Sequence, residues 1–111
     1  MHELSLCRSI ARIATRACGG RRVRSIELDV GYWRQVVPQT LTYCWGLVTR
    51  ETPLEGSVLE INHIPVVIEC RVCGASTTIG EEPVLVCPCG SHDVEMTHGD
   101  EFFVRSIEVE D

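Results

Sequence analysis

Apolar positions recur at helical spacing at the start of the chain and then change to alternation. Residues 4–18 place Leu6, Ile10, Ile13 or Ala14, and Ala17 about one turn apart, while Arg8, Arg12 and Arg16 step by four along the opposite face. This spacing predicts an amphipathic helix. Gly19-Gly20 stops it, since glycine accepts the left-handed backbone at a helix end. From Arg24 to Val30 the period becomes two, with Ile26, Leu28 and Val30 on one side and Ser25, Glu27 and Asp29 on the other. That predicts a half-buried strand, closed by Gly31. Pro38 suits a first helical turn, and Leu41, Tyr43 to Trp45 and Val48 carry a second helix to about Arg50. After a loop around Thr52-Pro53 and Glu55-Gly56, residues 58–64 alternate until Pro65 interrupts them, and Val66 to Glu69 run extended into Cys70. Phe103, Arg105, Ile107 and Val109 alternate with Val104, Ser106, Glu108 and Glu110 in a closing strand.

The order is helix, strand, helix, strand, cysteine-rich segment, strand. It predicts an α+β fold: a small domain of two helices and a three-stranded sheet, residues 1–65 plus 101–111, with a second domain, residues 66–100, inserted before the last strand. Two amphipathic helices need a sheet face to cover, and three short strands supply one. The insert holds few large apolar residues and needs another source of stability.

Composition narrows the function classes. The 111 residues are 44% hydrophobic and 23% charged, too apolar for a disordered chain. Net charge is -6, and every one of the ten basic residues is arginine. Such acidity disfavours a protein held by phosphates of nucleic acid. Residues 1–50 nevertheless carry eight arginines against three acids, +5, and residues 51–111 two arginines against thirteen acids, -11. No apolar run approaches the ~20 residues that cross a bilayer, and no secretory signal opens the chain. The expectation is a cytoplasmic protein without membrane contact. Seven cysteines, an odd number, fit a reducing compartment better than a disulfide framework. Cys7, Cys18 and Cys44 stand singly in helical patterns and read as small core thiols.

The other four make two pairs, Cys70-x-x-Cys73-Gly74 and Cys87-Pro88-Cys89-Gly90, thirteen residues apart. Two thiolates at that spacing fold onto one tetrahedral ion, and a following glycine lets the turn close. Four thiolates would make a closed zinc-ribbon-like site that leaves no position for substrate, so zinc here is a structural staple and not a catalyst. The second pair is one residue shorter than the common C-x-x-C, and His92 or His98 are the alternative donors. Iron in a rubredoxin-like arrangement is the competing metal, disfavoured by only 5% aromatic residues.

Met1-His2-Glu3 is a second candidate. A free α-amine, the His2 backbone nitrogen and its imidazole wrap one ion in two fused chelate rings, and the Glu3 amide, a carboxylate or another histidine completes a plane. Planar nitrogen donation is diagnostic of Ni(II) or Cu(II). A bulky second residue is expected to preserve the initiator methionine. The spacing by itself also fits, and more simply, a solvated His2 with Glu3 facing the helix dipole.

Together, MHELSLC, VGYWRQVVPQTLTYCW, EGSVLEI, CRVCG…CPCGS and SIEVE resemble, in order and over essentially the whole chain, the HypA/HybF family of nickel metallochaperones for [NiFe]-hydrogenase maturation. The resemblance implies an N-terminal nickel-binding α+β domain and an inserted structural zinc domain. It implies His2 as the nickel side-chain ligand, Met1 and Glu3 as co-ligands, and Cys70, Cys73, Cys87 and Cys89 at the zinc positions. Here CPC stands where the family usually has CPxC. By the same resemblance the chain is a carrier and not an enzyme. It binds Ni(II) at its N-terminus and delivers it to the [NiFe]-hydrogenase large subunit precursor, with a nickel-binding GTPase accessory protein as partner, as a monomer or weak homodimer. The rival reading, a zinc-ribbon module for nucleic-acid or protein interaction, predicts a basic patch around the ribbon, whereas residues 66–100 carry Arg71 as their one arginine among six acids.

Overall fold

A computed structural model describes residues 2–80, 82 and 84–110. Helix α1, Glu3–Ala17, buries Cys7, Ile10 and Ala14 on one face. Glu3 in its first turn and Arg16 in its last oppose the helix dipole. The Cys18 N–H caps the Ala14 carbonyl at 2.9 Å, and Gly19 and Gly20 then take φ of 61° and 83°. Strand β1, Val23–Gly31, follows, with Ile26 and Leu28 fully buried.

A turn of 3-10 helix, Tyr32–Arg34, ends at Gln35, a left-handed residue at φ 53°. The alternation pattern did not announce it. Helix α2, Pro38–Val48, starts at its proline and buries Leu41 and Trp45. It stops two residues short of Arg50: the Thr49 hydroxyl and N–H still reach the Trp45 carbonyl, at 2.7 and 3.1 Å, and the backbone then turns left-handed at Glu51, φ 60°. Strands β2, Val58–Ile64, β3, Val67–Cys70, and β6, Phe102–Val109, correspond to the expected extended segments. Two further strands, β4, Ser76–Thr78, and β5, Val94–His98, lie within the cysteine-rich segment.

The strands form two three-stranded sheets, ordered β2-β1-β6 and β4-β3-β5. In the second, β3 pairs antiparallel on both sides: Ile68 opposes Thr77 and Met96, and Glu69 opposes Ser76 and Glu95. The expected α+β class holds, with one sheet more than the alternation showed.

The chain divides into two compact units. The first comprises Met1–Asp29, Val36–Asn62 and Phe103–Asp111. Its helices pack on each other, with the Cys7 thiol donating to the Leu41 carbonyl at 3.3 Å. Leu54 closes its apolar interior. On its sheet, Asp29 is buried to 4% exposure and accepts from Asn62 and Arg105, each at 3.0 Å. Asn62 and Ser106 also donate to Glu27, at 2.8 and 3.0 Å.

The second unit comprises Val30–Gln35 and His63–Phe102. The Gly31 N–H reaches the Glu101 carbonyl at 2.7 Å, and the Trp33 N–H reaches the Gly99 carbonyl at 2.9 Å. Gly31 must be glycine, since a Cβ there would fall 1.9 Å from the Gly99 oxygen. Ile68 is its fully buried centre. Among the described residues no helix is long and apolar enough to cross a membrane.

Candidate functional site

Strand β3 delivers Cys70 to the end of its sheet, where the chain must turn. The Gly74 N–H bonds back to the Cys70 carbonyl at 3.0 Å, which closes a four-residue step with Gly74 at φ 78°. The Val72 and Cys73 N–H groups then point at the Cys70 sulfur, each at 3.4 Å. Cys87-Pro88-Cys89-Gly90 closes one residue sooner. Its Gly90 N–H reaches the Cys87 carbonyl at 2.8 Å, with Gly90 at φ 93°. The missing residue of the CPC spacing is thus absorbed by a tighter turn, and glycine takes the left-handed corner in both.

The two turns bring four sulfurs together, all within 4.8 Å of one another. Cys70 and Cys89 approach to 3.8 Å, and Cys73 and Cys87 to 3.5 Å. Zinc–sulfur bonds of about 2.3 Å in a tetrahedron imply sulfur–sulfur edges of about 3.8 Å. The donor set therefore fits one tetrahedral, thiophilic ion. Cys70 and Cys87 are buried, whereas Cys73 and Cys89 face solvent.

Electrostatics point the same way. The Cys73 N–H above all, then the Val72 N–H and the thiols of Cys73 and Cys87, pull the Cys70 thiol down to about 6 against its burial. At Cys87 the Cys89 N–H pulls down. Burial and the sulfurs of Cys89, Cys73 and Cys70 outweigh it and push the thiol up to about 12. A thiolate thus forms readily at Cys70 while the Cys87 thiol beside it is held protonated, because clustered like charges repel. A divalent cation removes that conflict.

His92 and His98 stand outside this group. His92 is exposed, and the His98 Nδ1 lies 3.2 Å from the Thr97 hydroxyl. Among the described residues, the four cysteines are the one grouping of three or more histidine, cysteine or carboxylate donors.

The other candidate site starts the chain. Met1 lies outside the described residues. His2 is exposed, immediately ahead of α1, and its carbonyl accepts the first helical bond from the Leu6 N–H at 3.1 Å. Its imidazole makes no capping bond. Glu3 is the first residue of α1, where a backbone N–H has no partner within the helix. Its carboxylate is engaged, accepting the Val37 N–H at 3.2 Å just ahead of α2. That bond, followed by the bond from its own N–H, holds the Glu3 carboxyl below the usual carboxylate range. The Glu3 carboxylate is thus committed to the start of α2 and to its own N–H, which leaves the exposed His2 imidazole as the unengaged side chain at this end of α1. Cys7 is no candidate ligand, since it is fully buried with its thiol committed to Leu41.

Sequence reasoning missed the Glu3–Val37 tie. Its signal, an acid at the start of one helix and a proline at the start of the next, has no local periodicity.

Residues 1–109 match the family described as hydrogenase/urease nickel incorporation, metallochaperone, HypA. A hydrogenase maturation factor HypA of Rhizobium leguminosarum bv. viciae is 41% identical over 113 residues, covering 98% of this chain and 99% of that one. The hydrogenase maturation factor HypA of a Nostoc species is 36% identical over 111 residues, covering 100% and 97%. The solution structure of the Ni metallochaperone HypA from Helicobacter pylori superposes with a TM-score of 0.68. It is 20% identical and covers 98% of this chain and 97% of that one.

Proposed function

The chain belongs to the HypA family of nickel-incorporation metallochaperones for hydrogenase, maturation factors and not enzymes, and from that premise we propose that it carries Ni(II) on its first three residues and hands it to the large-subunit precursor of a [NiFe]-hydrogenase. The Met1 amine, the His2 backbone nitrogen and imidazole, and the Glu3 amide are the donors. The observation that carries this reading is the setting of His2: exposed, one residue ahead of α1, with an imidazole left free by helix capping. The engaged Glu3 carboxylate supports it, because the bond to Val37 holds the start of α1 in place.

Cys70, Cys73, Cys87 and Cys89 hold zinc in this reading. Bound zinc supplies folding energy through a closed four-thiolate site and no open coordination position. Residues 1–65 with 101–111 serve nickel, and residues 66–100 serve zinc. The protein acts in the cytoplasm as a monomer or weak homodimer, with a nickel-binding GTPase accessory protein as partner and without nucleic acid.

Metal analysis of untagged protein with added nickel tests the proposal. One equivalent of Ni(II) with a planar low-spin absorption spectrum is expected beside one zinc. His2→Ala and an N-terminal extension should each abolish the nickel spectrum and leave zinc bound. Each nitrogen donor must lose a proton to bind, so nickel occupancy should fall from mildly alkaline to mildly acidic buffer. Unchanged nickel binding after His2→Ala overturns the assignment.

A further inference from the structure

Helix α1 carries Leu4, Arg8, Arg12 and Arg16 at intervals of four residues, and all four are exposed. At a rise of about 1.5 Å per residue, the arginines lie about 6 Å apart in a row about 12 Å long. Among the described residues, none of the three guanidinium groups enters an ion pair or hydrogen bond, whereas Arg24, Arg34, Arg71 and Arg105 each pair with an acid. The one acid on α1, Glu3, is engaged with Val37. Like charges four residues apart on a helix repel, so the row works against the helix that carries it. The chain as a whole is acidic, at -6, so the row runs against its overall balance.

We propose that Leu4, Arg8, Arg12 and Arg16 form a docking stripe for a partner protein that presents carboxylates at matching intervals, as one face of an acidic helix does. Charge complementarity selects this occupant. Guanidinium forks pair carboxylates bidentately, and the chain uses arginine to the exclusion of lysine. Three cations match too few phosphates to hold nucleic acid against a net charge of -6. Leu4, 41% exposed, gives the stripe an apolar end two residues from His2. A protein laid along the row therefore has one end beside the chain terminus. The stripe deepens the carrier reading and rests on it for its purpose: it presents the acceptor to the nickel end of α1.

The test measures binding of the full untagged chain to two purified probes, the nickel-binding GTPase accessory protein and the hydrogenase large-subunit precursor. Arg8→Glu/Arg12→Glu/Arg16→Glu should weaken at least one complex tenfold or more at about 0.1 M salt, where charges more than about 10 Å apart are already screened. The wild-type affinity should fall with added salt while that of the variant stays nearly flat. Arg12→Ala, which adds no charge, should give a smaller loss of about threefold by the same electrostatic argument. Arg21→Glu/Arg50→Glu, a reversal of exposed arginines off the row, should change affinity less than twofold. Zinc and nickel content of every variant reports the fold. Loss below twofold in the triple variant, or equal loss in the Arg21/Arg50 control, overturns the proposal. So does tighter binding of a single-stranded oligonucleotide that the triple reversal abolishes, or a dimer in sedimentation that only the triple reversal dissolves. If the unmodified chain takes up no nickel, the carrier reading fails separately, and the stripe is judged on the binding data.

Discussion

Cys7 and Cys70 are the same residue type under opposite physics. Cys70 faces backbone N–H donors and its thiol falls to about 6, while burial above all, with lesser repulsion from Cys44 and Glu3, pushes Cys7 to about 12. Cys7 therefore stays a thiol in the folded protein at neutral pH. In zinc-bound native protein at about pH 8, iodoacetamide should leave Cys7 unlabelled, and labelling should appear only in denaturant, as peptide mass mapping would read. Its raised value also has a stability sign. The unfolded thiol ionises near 9 and the folded one near 12, so stability falls as pH rises through that window. Glu3 has the opposite sign. Its carboxyl is depressed by the Val37 N–H, so its contribution is present at neutral pH and is lost as pH falls below the usual carboxylate range. Glu3→Gln should flatten the acid limb of a stability–pH curve and leave zinc bound.

At the scale of elements, packing decides what local preference leaves open. Helix α2 contains no charged residue, and Leu41 is fully buried in it with a carbonyl that accepts the Cys7 thiol. Leu41→Ala should cost about 2–5 kcal/mol, as large-to-small core changes do, with denaturant unfolding followed at a Trp45 or far-ultraviolet signal. Both helices and three of the six strands among the described residues were legible because their apolar faces repeat with a fixed period, while β3 was read only as an extended run into Cys70. β4 and β5 were not. Ser-Thr-Thr has no apolar face to alternate, and Val94 to His98 is a strand because β3 offers its carbonyls and N–H groups on that side. Likewise Glu69 stands directly opposite Glu95, a pair no propensity would choose, since the ladder register is set elsewhere.

For the molecule as a whole, the second unit has a thin apolar interior centred on Ile68, and the four sulfurs lie where β3 and two turns end. Stripping the metal with a strong chelator should remove amide protection across Val67–Cys70 and Val94–His98 while α1 and α2 keep theirs, read by hydrogen exchange. Cys73→Ser should do the same without chelator.

From residue order alone, the helical faces, the start of α2 at Pro38 and both cysteine turns could be read. Each depends on neighbours a few positions apart, and short-range spacing encodes that directly. The pairing of Cys70 with Cys89 and of Cys73 with Cys87, the capture of residues 30–35 by Gly99 and Glu101, and the Glu3–Val37 tie came from the tertiary structure. These join positions 14 to 70 residues apart, where chain closure and burial select the partner and no local period records it.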